Sequence, residues 1–146
     1  MRFILYISLF GLSAIFLAGC SGPGGTMASA MPENTQKIFI DASAPRSVGN
    51  PVYIRDAEII NDHLVLSVSY SGGCEDHDFA LNSRGDYAAT YPPELKVTLF
   101  HDSHGDRCRS TIDTKLWFDL TPAQYPGTNR VLLILTNTDK TITYTY

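Results

Sequence analysis

From residue 37 onward the chain is written in period two. Between His63 and Tyr70, Leu64, Leu66, Val68 and Tyr70 fall on one side while Ser67 and Ser69 fall on the other, the alternation of a strand with one dry and one wet face. The same period predicts strands over 78–82, with Phe79 and Leu81 inward; over 95–101, with Leu95, Val97 and Leu99 inward; and over 114–120, with Leu116, Phe118 and Leu120 inward. Residues 52–60 read as extended, 131–136 as an apolar run, and 141–146 as Thr alternating with Ile142, Tyr144 and Tyr146. Residues 37–41 offer a first edge strand, and the Pro- and Gly-bearing stretch 42–51 a loop. No ten-residue stretch after the N-terminal segment has a 3.6-residue period with caps, so helices are not expected.

Seven or eight short strands separated by turn clusters in about 110 residues predict an all-β domain, an antiparallel immunoglobulin-like β-sandwich of about seven strands over residues 37–146. A small barrel is the alternative. A domain of this size buries only roughly two thirds of the surface its unfolded chain exposes, so a covalent cross-link would add materially to its stability.

The N-terminus obeys another pattern. Met1 and Arg2 precede an apolar run from Phe3 to Leu17, too short to span a bilayer comfortably at ~1.5 Å per residue, which predicts a signal peptide over 1–19. Leu17-Ala18-Gly19-Cys20 is similar to the bacterial lipobox; the resemblance implies a diacylglycerol on the Cys20 thiol, an acyl chain on its new amino group, and a membrane partner reached through that anchor. Ser21, not being Asp, points to the outer membrane in a cell that has one. Residues 20–36 lack aliphatic periodicity and read as a flexible tether. The formal net charge is −4, with no Lys/Arg run. Without clustered positive charge there is nothing to release counterions from phosphates, so nucleic acid is excluded as a partner.

In an oxidising compartment, two cysteines remain once Cys20 is acylated: Cys74 and Cys108, each in a polar, Gly-bearing loop at a strand end. A Cys74–Cys108 disulfide is expected. The spacings Cys74-x2-His77 and His104-x3-Cys108 also permit a tetrahedral zinc site. If the disulfide forms, His77, His101 and His104 with Asp102 and Asp106 are the candidate ligands of a divalent metal, zinc or copper, since parity places His77 and His101 at the rim of the inner face. The simpler reading is that the histidines satisfy hydrogen bonds and the carboxylates cap turns, with no cofactor at all.

The pattern Gly72-Gly73-Cys74-x2-His77-x-Phe79-x-Leu81, followed by His101-Asp102-x2-Gly105-Asp106-x-Cys108 and Leu116-x-Phe118-Asp119-Leu120, resembles that of a family of small, uncharacterised bacterial lipoproteins. More loosely it resembles the β-sandwich domain of NigD-like lipoproteins. The resemblance covers most of residues 63–146. It implies a lipid anchor, a sandwich and a special role for the two Cys-bearing loops, and it supplies no substrate. The Tyr-bearing stretch from Asn82 to Pro93 departs from the pattern.

Arg84-Gly85-Asp86 spells an integrin-binding tripeptide, though turn composition accounts for it. Trp117 has the opposite parity from Leu116 and Phe118, which predicts an outer-face aromatic; with Tyr87, Tyr91 and Tyr125 it is a candidate contact surface, or a Trp simply covered by a loop. No G-x-S-x-G elbow, H-E-x-x-H pair or Gly-rich phosphate loop is present, and loop carboxylates on a small sandwich are usually solvated, so an enzyme is not expected. The functional expectation is an envelope lipoprotein acting as a binding or structural module toward a protein or polymer partner, with metal binding at the His/Asp rim as the alternative.

Overall fold

The computed structural model describes residues 32, 34–138 and 140–146; the expected signal peptide, Cys20 and most of the expected tether lie outside the described residues. The strands are β1 (Gln36–Lys37), β2 (Phe39–Ile40), β3 (Tyr53–Ile60), β4 (His63–Gly72), β5 (Asp78–Ser83), β6 (Tyr87–Ala88), β7 (Glu94–Asp102), β8 (Ser110–Asp119), β9 (Arg130–Leu135) and β10 (Thr141–Thr145), with one 3-10 turn at Thr121–Ala123. They form two sheets, in the orders β1-β8-β4-β3 and β10-β9-β7-β5-β2, with β6 beside the start of β7. Between them lies one core, in which Leu64, Leu66, Leu81, Leu95, Leu99, Phe118, Leu133 and Tyr144 are fully buried.

The sandwich is nearly all β, as expected, but its sheets are mixed and not antiparallel. β7 and β9 run parallel, as do β1 with β8 and β2 with β5. Strand β8 pairs with β4 in the other sheet, so β9 returns beside β7 only after a crossover, and a crossover delivers a strand in the parallel sense. The predicted 37–41 strand is in fact two. Ile38, 3% exposed, turns into the core, leaving β1 on one sheet and β2 on the other.

The expected wet face of β4 is also corrected, because His63, Val65 and Ser69 are buried there too. β4 lies between β8 and β3, and long side chains from both neighbours roof it: Lys115 pairs with Glu58 at 3.5 Å, and Arg55 pairs with Asp113 at 3.1 Å while donating to Ser69 Oγ.

Candidate functional site

At one end of the sandwich, β4 runs into β5 through 73–77 and β7 runs into β8 through 103–109. Cys74 and Cys108 are joined as a disulfide with Cα atoms 5.9 Å apart, which stitches these loops together across 34 residues of chain. With the two sulfurs bonded to each other, neither is a thiolate free to join the Cys/His zinc arrangement.

Asp106 sits beneath this bond with its side chain closed off from solvent. Its Oδ2 accepts the backbone N–H groups of Cys74 at 3.0 Å and Glu75 at 3.2 Å, and its Oδ1 accepts that of Cys108 at 2.7 Å. These donors, the Cys74 amide first and the Cys108 amide next, hold the carboxyl well below the usual carboxylate range. The sequence placed Asp106 among metal ligands; its observed work is to tie both loops to one carboxylate.

From Asp106 a chain of rings runs inward. His77 Nε2 is 3.2 Å from Asp106 Oδ2, His77 Nδ1 is 2.7 Å from His101 Nε2, and His101 Nδ1 is 3.2 Å from Pro51 O. Phe79 and His101 are cross-strand partners on β5 and β7 and stack with ring centroids 4.6 Å apart and planes 3° apart, while Tyr70 tilts over both histidines. Gly72 is where the backbone passes the His77 ring: a Cβ there would stand 2.5 Å from Nε2, so no larger residue fits.

The ends of this chain, a carbonyl and a carboxylate, can only accept hydrogen bonds. Three links across two imidazoles need three ring protons, whereas two neutral imidazoles carry two. The geometry therefore suits a pair holding one extra proton opposite the Asp106 charge. It does not suit two, because a fourth proton would set N–H against N–H at the 2.7 Å link. Burial first, and His77 beside it next, push His101 below its ordinary value in accord with that count.

Of the predicted ligands, the structure brings together His77, His101 and Asp106. His104 stands apart at an exposed turn with φ +47°, its ring 2.9 Å from Asp78 Oδ2, and Asp78 with Asp102 raises its basicity. Asp102 accepts the His104 backbone N–H and caps that turn. Two nitrogens sharing one tetrahedral zinc at ~2.0–2.1 Å stand roughly 3.3 Å apart; the 2.7 Å observed is a hydrogen-bond separation.

The aromatic contact residues are not one surface. Trp117 lies half-buried on the outer face of its sheet, opposite Val65 and tilted toward His63 at 6.4 Å. Tyr87 belongs to the other sheet, where its hydroxyl donates to Ala123 O and its ring meets Tyr125 at 4.8 Å. Tyr91 is 81% exposed, at the opposite end from the disulfide.

No family model and no curated protein matches the sequence. Among solved structures, the chain is similar to a NigD-like immunity protein from Bacteroides caccae, at a TM-score of 0.57 and 13% identity over 75% of this chain and 58% of that one. It is also similar to a protein of unknown function, DUF1344, from Bacteroides vulgatus, at a TM-score of 0.50 and 20% identity over 77% of this chain and 56% of that one. The chain thus spans a little over half the length of either neighbour. The likeness is one of fold, and the loose NigD-like resemblance read from the sequence agrees with it.

Proposed function

We propose that this protein is a lipid-anchored envelope β-sandwich that acts as a binding or structural module and not as an enzyme. The observation that carries the reading is the self-sufficiency of the cluster with catalytic residue types: all four ring nitrogens and both Asp106 oxygens face protein partners. Such a cluster fixes loops and has no group left to attack or protonate a substrate. The lipobox-like Leu17-Ala18-Gly19-Cys20 supports the anchor. The fold shared with an immunity protein is compatible with the module and assigns no partner.

Two measurements test it. Cys20→Ser releases the protein from the membrane fraction and removes a lipid-sized mass from its N-terminal peptide; membrane retention without that mass overturns the anchor. Photo-crosslinkers at exposed Tyr53 beside the clamp and Tyr91 at the far end, used in intact envelopes, give one recurring adduct for a binding module. No adduct at either position removes the binding half and leaves a structural one. The convergence of two imidazoles and a carboxylate favours divalent-metal binding as the second reading, to which zinc and copper titrations speak below.

A further inference from the structure

We propose that a cleft on the outer face of the second sheet binds a small hydroxylated oxyanion, a sugar acid or a sugar phosphate. This goes beyond the module reading and stands whether or not the anchor does. The cleft has a volume of about 590 Å³, within the usual range for small-molecule sites. It forms because β5 leaves β7 after Ser83 and the chain rejoins as β6 at Tyr87, so that Arg84-Gly85-Asp86 swings out as a rim beside Lys96.

Three cations converge on it: Arg46 from the β2–β3 loop, Arg84 from the rim and Lys96 from β7. Among the described residues, Arg46 and Lys96 have no carboxylate within 4 Å, and Arg84 meets only the exposed Asp86, at 3.7 Å. In an acidic protein this is a local positive field that, among the described residues, only Asp86 offsets. With Asp86 counted, the described residues of the walls carry two net positive charges, which suits one carboxylate or phosphate and not a polyanion.

The floor supplies a second, independent observation. Asn82 is 6% exposed, yet among the described residues its side-chain amide has no hydrogen-bond partner. No unpartnered side-chain polar atom in that set is sealed from solvent, so the amide opens into the cleft. An amide with no protein partner that opens into a cleft has its donors and its acceptor free for whatever occupies that cleft, water or a ligand. Beside it, Thr98 Oγ1 and Thr136 Oγ1 share one hydrogen bond at 2.7 Å, leaving one hydroxyl proton to donate elsewhere. Cations for the oxyanion, with an amide and a hydroxyl for ligand hydroxyls, are the complement of a charged sugar.

The test is calorimetric titration of the full-length protein with glucuronate, glucose 6-phosphate, glucose and inorganic phosphate. Glucuronate or glucose 6-phosphate binds, and whichever is tighter identifies the anion; glucose binds at least tenfold more weakly. Arg46→Gln with Lys96→Gln, both at exposed positions, leaves the melting temperature in place and weakens binding at least tenfold. Equal binding of glucose overturns the role of charge, and an unaffected double variant overturns the site. Inorganic phosphate binding as tightly as glucose 6-phosphate means an adventitious ion only. No heat with any probe, confirmed by unmoved Asn82 side-chain amide resonances, ends the proposal.

Discussion

The two ends of the sandwich each bury polar side chains, and they do so by different means. At the clamp end, a disulfide, a carboxylate and two imidazoles are packed against Tyr70 and Phe79. At the far end, the Tyr144 hydroxyl donates to Asp62 Oδ1 at 2.7 Å and accepts from Gln124 Nε2 at 3.2 Å, while Tyr146 and Tyr125 exchange bonds through one hydroxyl. The clamp joins two loops that carry no β-ladder of their own, so it needs a covalent bond and a charge-assisted acceptor for their amides. The far end closes over strand termini already held by their sheets, where phenols spanning 20 to 82 residues of sequence suffice.

The contrast breaks most sharply at the disulfide. Cys74→Ser with Cys108→Ser lowers unfolding free energy in urea by about 3–4 kcal/mol, the loop-closure value for 34 residues; a loss near zero means that Asp106 alone holds the loops.

His101→Gln comes next, at about 1–2 kcal/mol, because it strands the buried His77 Nδ1 and takes a donor away from Pro51 O. It also alters the acid limb. Burial and His77 hold folded His101 below its ordinary 6.5, so stability is whole above that pH; as pH falls, the unfolded chain takes a proton that the folded one refuses, and stability drops. The variant flattens that slope in urea midpoints taken between pH 7 and 5. Wild-type melting is unchanged by micromolar zinc or copper, whereas a rise with the logarithm of free metal, abolished by His101→Gln, restores the metal reading.

Tyr144→Phe is the mildest, at about 1 kcal/mol, since Asp62 is half-exposed and water replaces part of what is lost. Its signature is alkaline. Burial, and then the hydrogen bond to Asp62, raise the Tyr144 phenol from 10.0 to about 12. The stability this contributes is complete below the unfolded value and is lost as pH rises through the folded one; the variant loses less across that window.

These two ends were unequally legible. Cysteine, histidine and aspartate are scarce and chemically marked, so their crowding into 74–78 and 101–108 announced the clamp, and parity put His77 and His101 on one face. What those residues would do with each other was not written, because a carboxylate that ligates a metal and one that gathers backbone amides look alike in sequence. The far end left no such mark, since Asp62, Gln124 and Tyr144 are ordinary residues brought together only by the topology. The long strands were legible through period two. β6 is too short to show a period, and the parallel pairings were hidden because alternation is the same in both directions. The Asn82–Pro93 stretch, which departs from the lipoprotein pattern, is where β5 detaches and the cationic cleft opens.

The way Gln36–Ile40 is shared between the sheets has a consequence for their edges. This one segment covers the outer strand of each sheet on the same side, β8 through β1 and β5 through β2. A chain trimmed past residue 40 uncovers two rows of unpaired amides and carbonyls side by side, together with the pocket that Ile38 filled. The same five residues that complete the fold thus also cap one end of an edge strand in each sheet.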